Sequence, residues 1–348
     1  RLSGLGYCRE LKFININNNI FSEISWDCRK LRKLLKDISC KDQLSDIIKN
    51  CVSVASKETD EKNSFEVQLN YVNRISKDLL VNTPLIKDYL CSVAPVPFAP
   101  YFQRANELNS ILQDVNLGNV HIYFDEESEP IYRPHREVFD VSEHIEDNID
   151  HIEKIEIEDK DGSSLAAIAW VIHTHYKGAI QKKSLIRGLR VRVGNIQVGE
   201  DNILEDVFVE KRFNAWTIGE VHIIDKRIVP NGRRDNFEEN VYWEDLQNKL
   251  IIIGRKISQR CRDLSSERNW IKKFDGLEEK IINQIDVVKI NANSKQSKDN
   301  LLKDIKSNID SIENIYAKPL FEKLEYTDFD KKIRKLRKAY KTLVVNDK

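Results

Sequence analysis

RFNAWTIGEVHIIDKRIVPNGRRDNFE, residues 212–238, contains the sharpest change of pattern in the chain. Within it, residues 216–224 alternate apolar side chains with smaller or polar ones, which predicts a β-strand. Pro230, Asn231 and Gly232 then break the chain. The acidic segment 235–239 follows, and we expect it to form the first turn of a long helix, because carboxylates complement the positive end of the helix dipole.

Two adjacent arginines, Arg233 and Arg234, lie between the chain break and the acidic segment. Two guanidinium groups at a strand-to-helix turn are suited to contact phosphate oxygens. The alternative is that both arginines pair with Asp235 and the nearby glutamates. The residues alone favour this alternative, because charge pairs of this kind are common on protein surfaces.

The composition indicates a globular protein without a strong charge preference. The chain has 348 residues, enough for two domains and an extension, with 56 basic and 56 acidic side chains. No apolar run approaches the ~20 residues that a membrane span requires. No signal peptide opens the chain and the six cysteines show no metal-ligand spacing, so we expect a cytoplasmic protein that does not bind a membrane.

The chain begins with Arg1 and contains no methionine. Natural cytoplasmic polypeptides begin with methionine and normally contain several more. We therefore expect that residues of the natural polypeptide are missing from this sequence, either before Arg1 or within it.

Periodicity predicts a first domain over residues 1–95. The expected elements are a helix over 1–10, a hairpin of strands 11–16 and 21–26, helices over 30–38 and 43–52, a strand over 65–72 and a helix over 79–91. The segment 94–100, APVPFAP, contains three prolines, which fit neither a helix nor a central strand. We place a domain boundary there.

A second domain is predicted over residues 101–240 and a helical stalk over 241–348. The second domain is expected to contain a helix over 101–112, a hairpin of 120–124 with 130–132, strands over 152–157, 165–173, 189–193 and 195–198, and a short helix over 203–208. Several strands with few intervening helices predict an α+β fold with a mixed sheet. Leu246, Leu250, Ile253, Ile257 and Cys261 keep helical spacing, which predicts a long helix that continues past residue 264.

For several other arginine and histidine side chains, the sequence leaves the role open. Arg190 and Arg192 share one face of a predicted strand, just after Arg187, and either face phosphate or form a solvated strand face, which we favour. His173 and His175 also share a strand face, but no third ligand lies close in sequence, so no metal site is predicted.

A basic run covers residues 331–341, KKIRKLRKAYK, with seven basic residues and no acidic one. Ile333, Leu336 and Tyr340 lie on one side of a helix of this sequence. The remaining faces contact either nucleic acid or an acidic partner, or else belong to a solvated helix packed on the stalk. The candidate nucleic-acid contacts are Lys331, Lys332, Arg334, Lys335, Arg337 and Lys338.

Several motifs together resemble one superfamily. Residues 1–13, RLSGLGYCRELKF, resemble the helix and strand after the lid of GHKL ATPases, the superfamily of gyrase, MutL, histidine kinases and heat-shock chaperones. Residues 94–98, 186–199 and 212–238 are similar to its chaperone-like and MORC-like bacterial group. The resemblance covers residues 1–265. It implies that residues 1–95 complete a Bergerat-type ATP-binding domain, and that a transducer domain with a ribosomal-protein-like mixed sheet and a helical or coiled-coil extension follow.

The resemblance also implies roles for the 230–235 segment. Its chaperone relatives read P-x-N-x-S-R-E there, and Pro230, Asn231, Arg233, Arg234 and Asp235 occupy similar places, with one residue fewer between Pro and Asn. Arg234 is then the candidate contact for the γ-phosphate of ATP, Arg233 the second candidate and Asn231 the residue that positions the loop. Arginine stands where the chaperones have serine, so either arginine is a candidate.

ATP and Mg²⁺ are the cofactors that the resemblance implies. Arg1, Ser3 and Gly4 match positions beside the nucleotide. The superfamily's catalytic glutamate, its metal-binding asparagine, its D-x-G-x-G motif and its lid glycines would all precede Arg1, so we expect an upstream segment or another chain to supply them.

The expected function is that of a Mg²⁺-dependent ATPase that works as a homodimeric clamp, in DNA transactions or phage defence or on a protein client. The alternative is a non-catalytic interaction module that binds a protein partner or DNA through the stalk and the basic helix.

Overall fold

The computed structural model describes residues 3–37, 41–73, 82–113, 115, 118–124, 127–142, 144–291, 295–317 and 327–345. The chain divides into two compact units, Arg1–Ile86 and Lys87–Lys348. Each unit combines helices with a β-sheet, so the predicted α+β class is confirmed. The proline-containing segment 94–100, where the sequence suggested a boundary, lies within the second unit.

The first unit contains a four-stranded sheet of order β3-β2-β1-β4. Its strands are β1 (Glu10–Asn17), β2 (Ile20–Asp27), β3 (Val52–Glu58) and β4 (Ser64–Asn70). The predicted β1–β2 hairpin is confirmed, and its turn residues Asn18 and Asn19 have φ angles of 50° and 62°. Two consecutive left-handed residues form the type I′ turn that matches the twist of a tight hairpin, and asparagine tolerates this conformation.

For this unit one sequence prediction fails and one strand was missed. The predicted helix over 1–10 is wrong, since a short 3₁₀ helix, Ser3–Gly6, precedes β1. Gly4 and Gly6 have low helix propensity, and strand β1 already begins at Glu10. Strand β3 was not predicted, because its mostly polar residues show no clear apolar alternation and it depends on pairing with β2. Helices α1 (Cys28–Lys36) and α2 (Leu44–Cys51) lie between β2 and β3.

The second unit is organised around a six-stranded mixed sheet of order β5-β6-β7-β10-β8-β9. Its strands are β5 (Val138–Ser142), β6 (Ile145–Glu158), β7 (Leu165–Thr174), β8 (Gly188–Val193), β9 (Ile196–Val198) and β10 (Ile218–Ile223). Only β8 and β10 run parallel among these neighbours. The predicted hairpin of 120–124 with 130–132 is wrong, since the described residues there form no strand and share one backbone bond, from Ile131 N to Ile122 O at 2.9 Å.

Both faces of the second sheet are covered, which explains why the central strand β7 is apolar and buried along its length. On one face, Ala169 and Val171 pack against Leu246, Leu250 and other residues of a long helix. On the other face, the core contains Trp170, Phe98, Phe102 and Leu108. This second layer includes helix α4 (Ala105–Ile111), which follows helix α3 (Thr83–Val93) and the proline segment.

The long helix α5 spans Val241–Asn291, which confirms a helix that continues past residue 264. Its start was predicted wrongly: the acidic segment 235–239 lies outside the helix. Asn240 ends the preceding loop, and its Oδ1 accepts hydrogen bonds from the backbone nitrogens of Tyr242 (3.0 Å) and Trp243 (2.9 Å). An asparagine in this position satisfies otherwise free amides of the first turn and so fixes the helix start.

The far half of α5 packs with two further helices, α6 (Lys295–Tyr316) and α7 (Thr327–Val345). Their shared core includes Phe274, Ile285, Ile305, Ile309 and Leu336. The predicted stalk therefore ends in three packed helices. Among the described helices, none combines the length and the apolar content needed to cross a membrane.

Gly254 and Gly276, both on α5, give a matched test of how closely this helix packs. A Cβ at Gly254 would lie 2.3 Å from the carbonyl oxygen of Val207, whereas a Cβ at Gly276 meets nothing within 4 Å. We expect Gly254→Ala to lower the free energy of unfolding by ~1–3 kcal/mol. Gly276→Ala should raise it by up to ~1 kcal/mol, because alanine favours a helix over glycine. Urea denaturation followed by circular dichroism measures both, and a stabilising Gly254→Ala would contradict the packing described.

Candidate functional site

The segment between β10 and α5 forms a closed loop. Pro230 and Phe237 form an isolated antiparallel bridge at its base. The backbone nitrogen of Asn231 donates to the oxygen of Asn236 at 2.9 Å, and that of Glu238 donates to Val229 O at 2.9 Å. These bonds hold residues 230–237, the arginine loop, in one conformation.

The arginine loop is attached to the end of β9. The carbonyl oxygen of Arg234 accepts a hydrogen bond from Gly199 N at 2.9 Å. Gly199 has a φ of 68°, and a Cβ there would lie 2.5 Å from Ile203 Cδ1 and 3.0 Å from Asp235 O. This position therefore needs glycine for two reasons, backbone conformation and space. Arg234 itself has a φ of 59°, an uncommon conformation that its backbone bonds to Asn231 and Gly199 maintain.

Asn231 and Arg233 share one carboxylate partner. Asn231 Nδ2 donates to Asp235 Oδ1 at 2.7 Å, and Arg233 Nε lies 3.1 Å from Asp235 Oδ2. The Arg233 side chain is 87% exposed, so water screens this ion pair and its contribution to stability is small. The ion-pair alternative from the sequence thus describes Arg233 correctly.

Arg234 behaves differently from its neighbour. Its side chain is half-buried and forms no ion pair with any residue the structure describes. Nη2 donates to the carbonyl oxygen of Val193 over a long 3.5 Å, and Nε is buried without a hydrogen-bond partner in the described part of the chain. A buried donor without a partner is costly. The charge of Arg234 is therefore not neutralised by a carboxylate in the described part of the chain, and its Nε is a donor closed to solvent in this conformation.

A buried ion cluster lies in the adjacent sheet. Arg133 Nη1 and Arg192 Nε each donate to Glu220 at 2.6 Å, and the Nε2 of His222 lies 2.9 Å from the same carboxylate. Burial by itself would raise the pKa of Glu220, but Arg133 and Arg192 hold that pKa well below its ordinary value. The carboxylate therefore stays ionised between two cations.

The preferred interpretation of Arg190 and Arg192 as a solvated strand face is wrong. Both side chains are more than nine-tenths buried. Glu220 and His222 lie opposite Arg190 and Arg192 in the parallel β8–β10 register, so complementary charges neutralise part of the burial cost. Arg187, just before the strand, pairs with Asp201 at 2.7 Å. None of these three arginines forms a free phosphate-facing row.

The same arginines hold the proline segment in place. Arg133 Nε donates to Val96 O of this segment at 3.1 Å, and Arg192 Nη2 donates to Ser92 O near the end of α3, just before it, at 2.7 Å. Buried carbonyls of an extended segment outside the sheet need donors from elsewhere. The cluster thus fixes the layer that covers this face of the sheet.

His135 in this covering layer predicts a pH-dependent stability. It packs among Phe98, Phe102 and Trp170, and burial lowers its pKa from 6.5 to about 3. The unfolded chain therefore binds a proton below pH 6.5 that the folded chain binds only near pH 3, so stability falls as the pH decreases through this window. Burial also lowers the pKa of His222, which adds to the effect.

We expect the unfolding free energy to fall between pH 6.5 and 5, and His135→Phe to flatten this dependence by up to ~1.4 kcal/mol per pH unit. Urea titrations at several pH values measure the slope. An equal slope in wild type and His135→Phe would contradict the buried, neutral state of His135.

The three positions matched to nucleotide contacts belong to the first unit. Arg1 lies outside the described residues. Ser3 begins the 3₁₀ helix, and Gly4 packs on Leu11, whose Cδ1 would lie 3.2 Å from a Cβ at Gly4. Gly4 therefore has a local packing role in addition to the role that the resemblance implies.

The basic run lies on α7, where it divides into two groups. Lys332 pairs with Glu278 of α5 at 2.7 Å, and Arg337 pairs with Glu313 of α6 at 2.5 Å. The interpretation as a helix packed on its neighbours therefore describes these two side chains. Of the six candidates, only Lys332 is partly buried, and the exposed ones are Lys331, Arg334, Lys335, Arg337 and Lys338. Lys331 and Arg334 have acidic partners on the same helix, Asp328 and Asp330. Nucleic-acid binding by this face stays a prediction.

No family model matches the sequence, and no curated protein matches it significantly. The geometry of the arginine loop and the motifs described above are therefore the basis for a proposed function.

Proposed function

We propose that this chain is part of a GHKL-type ATPase, in which Arg234 contacts the γ-phosphate of bound ATP. The observation that carries the proposal is the half-buried guanidinium of Arg234, which has no carboxylate partner among the described residues. An arginine in a fixed loop is the group that proteins commonly use to neutralise the charge on a transferring phosphoryl group.

Arg234 is favoured over Arg233 for this role. The carboxylate of Asp235 occupies Arg233 and competes with any phosphate for it. Arg234 has no such competitor in the described chain, and its backbone is held by Gly199 and Asn231. A cation that is already positioned loses less conformational entropy when it binds a ligand. Asn231 supports the loop by bonding to Asp235.

The loop is connected to α5, which suggests how nucleotide state would reach the helices. Asn240 caps α5 through its Oδ1, and its Nδ2 donates to Arg227 O at 3.1 Å, just before the loop. A displacement of Arg234 towards phosphate would therefore act on the start of α5. Such a displacement requires a ligand that binds the displaced loop more tightly than the undisplaced loop. In the proposal, a γ-phosphate that contacts Arg234 is such a ligand.

In this proposal the nucleotide and Mg²⁺ are held mainly by the residues that the resemblance places before Arg1. Bound Mg²⁺ would neutralise phosphate charge, and Arg234 would supply a further positive charge. We propose that the protein works as a homodimeric clamp in the cytoplasm. The alternative, a non-catalytic module that binds DNA or protein through α7, predicts binding without ATP turnover.

Hydrogen exchange in the presence of nucleotide tests the proposal. It is measured on this chain joined to, or mixed with, the nucleotide-binding segment that the resemblance implies. A non-hydrolysable ATP analogue should slow amide exchange in residues 230–237 relative to ADP at equal saturation. The buried strand β7 serves as the internal control and should not change. Equal exchange of the loop with both nucleotides would show that it does not sense the γ-phosphate.

A further inference from the structure

Cys8 and Cys28 contact each other inside the first unit. Their Sγ atoms are 3.8 Å apart, and both residues are fully buried. They form one small core with Leu11, to which the half-buried Trp26 and Phe13 add contacts. The proposed ATPase function does not use either thiol.

The backbones that carry these cysteines also lie close together. Cys28 N donates to the carbonyl oxygen of Arg9, the residue next to Cys8, at 2.9 Å. The Sγ–Sγ separation of 3.8 Å is ~1.8 Å longer than the bond of a disulfide. Arg32 Nη1 donates to Cys8 O at 2.8 Å and holds this segment against α1. The bond therefore requires the two sulfur atoms to approach each other from their present contact.

From this contact we propose that Cys8 and Cys28 are a covalent modification site, which forms a reversible intramolecular disulfide by exchange with a low-molecular-weight disulfide such as oxidised glutathione. The bond joins the segment before β1 to the first turn of α1. It closes a loop that contains the whole β1–β2 hairpin.

The exchange balances in two steps. The thiolate of Cys8 attacks one sulfur of the small disulfide, forms a mixed disulfide and releases one small thiolate, which takes up a proton. The thiolate of Cys28 then attacks the Cys8 sulfur and releases the second small thiol. The protein loses two protons and two electrons, and the small disulfide gains them. We assign the first attack to Cys8 because it directly follows the exposed Tyr7, so that local opening of residues 3–8 would expose its sulfur to a small disulfide.

The surroundings of the two cysteines predict that the disulfide forms slowly and, once formed, persists. Burial raises the pKa of Cys28 to about 11, and the hydrogen bond and electrostatic interaction with the adjacent Cys8 act in the same direction. The reactive thiolate of Cys28 is therefore scarce. The same burial shields a formed disulfide from small thiols. Closing the loop also restricts the unfolded chain, which stabilises the folded unit.

Mass spectrometry tests the proposal on the full 348-residue chain. The protein is equilibrated with oxidised glutathione, unfolded, alkylated and digested without reduction. We expect one peptide pair, joined through Cys8 and Cys28, at a mass lower by two hydrogens than the two free peptides. Cys51, Cys91 and Cys261 should be found alkylated, which shows that they stayed free thiols. After unfolding, dithiothreitol should restore both free thiols. Both sulfurs still alkylated after equilibration, or linkage mainly to another cysteine, would overturn the proposal.

Thermal unfolding gives a second readout with matched variants. Oxidation should raise the melting temperature of the first unit by at least ~5 °C. Cys28→Ala should lose this increment, while Cys51→Ala, another buried cysteine of the same unit, should keep it. If both variants respond to oxidation alike, the stabilisation does not come from the Cys8–Cys28 bond.

Discussion

Arg234→Ala is expected to reduce ATP turnover by ~10²-fold or more while ATP affinity changes little. The affinity is preserved because most nucleotide contacts lie elsewhere in the proposed site. Turnover should fall because, in the proposed reaction, the guanidinium stabilises charge that develops on the transferring phosphoryl group. Steady-state hydrolysis and equilibrium ATP binding are measured on this chain together with the nucleotide-binding segment that the resemblance implies.

Two neighbouring arginines serve as controls for this prediction. Arg233→Ala removes a cation that is already paired with Asp235, and we expect a change of less than ~5-fold. Arg212→Ala removes another exposed arginine, paired with Glu210 before β10, and should leave turnover unchanged. Full activity in both Arg233→Ala and Arg234→Ala would refute a phosphate role for the loop. Loss of activity only in Arg233→Ala would transfer that role to Arg233.

Glu220→Gln is expected to lower the free energy of unfolding by ~3–5 kcal/mol. The amide keeps the size of the side chain but removes the negative charge between Arg133 and Arg192, which are both almost fully buried. Two cations would then face each other without a counter-charge in a site that excludes water. Urea denaturation followed by tryptophan fluorescence gives the free energy, and Trp170 in the adjacent core reports on this layer.

Glu313→Gln is the matched control for this substitution. Glu313 pairs with Arg337 on the surface of the three packed helices, where the arginine side chain is 57% exposed. Removing this partner should cost less than ~1 kcal/mol, because solvent screens exposed ion pairs. Equal losses for the two substitutions would contradict the buried character of the Glu220 cluster.

The chain's local patterns predicted much of the fold. The β1–β2 hairpin has apolar residues around an Asn-Asn turn, and β7 is a long apolar run between turn signals. The periodicity of α5 extends over many turns, so the helix could be recognised without knowledge of its partners. In these elements sequence preference and tertiary contacts favour the same structure.

The failed predictions depend on contacts that are distant in sequence. The start of α5 follows from the Asn240 cap and the bridge between Pro230 and Phe237, whereas the acidic residues before it suggested an earlier start. The burial of Arg192 depends on Glu220 from a neighbouring strand. A signal was present, because the alternate residues of RVR on β8 and EVH on β10 carry complementary groups. Only the parallel register shows that they meet.

The candidate site was predictable in part. The sequence placed Asn231, Arg233 and Arg234 in one turn, and the structure places all three in the same closed loop. The distinction between the two arginines was not predictable. It depends on the left-handed backbone of Arg234 and its bond to Gly199, which direct the two side chains to different surroundings.

Rescue of Arg234→Ala by guanidinium tests the central claim most directly. Free guanidinium at millimolar concentration can replace a missing arginine head group only where that group acts in the reaction. We predict that it raises ATP turnover by Arg234→Ala at least several-fold, without accelerating the wild type or Arg233→Ala. Undiminished turnover by Arg234→Ala, or a reduced rate that guanidinium leaves unchanged while it accelerates Arg233→Ala, would contradict a contact between Arg234 and the γ-phosphate.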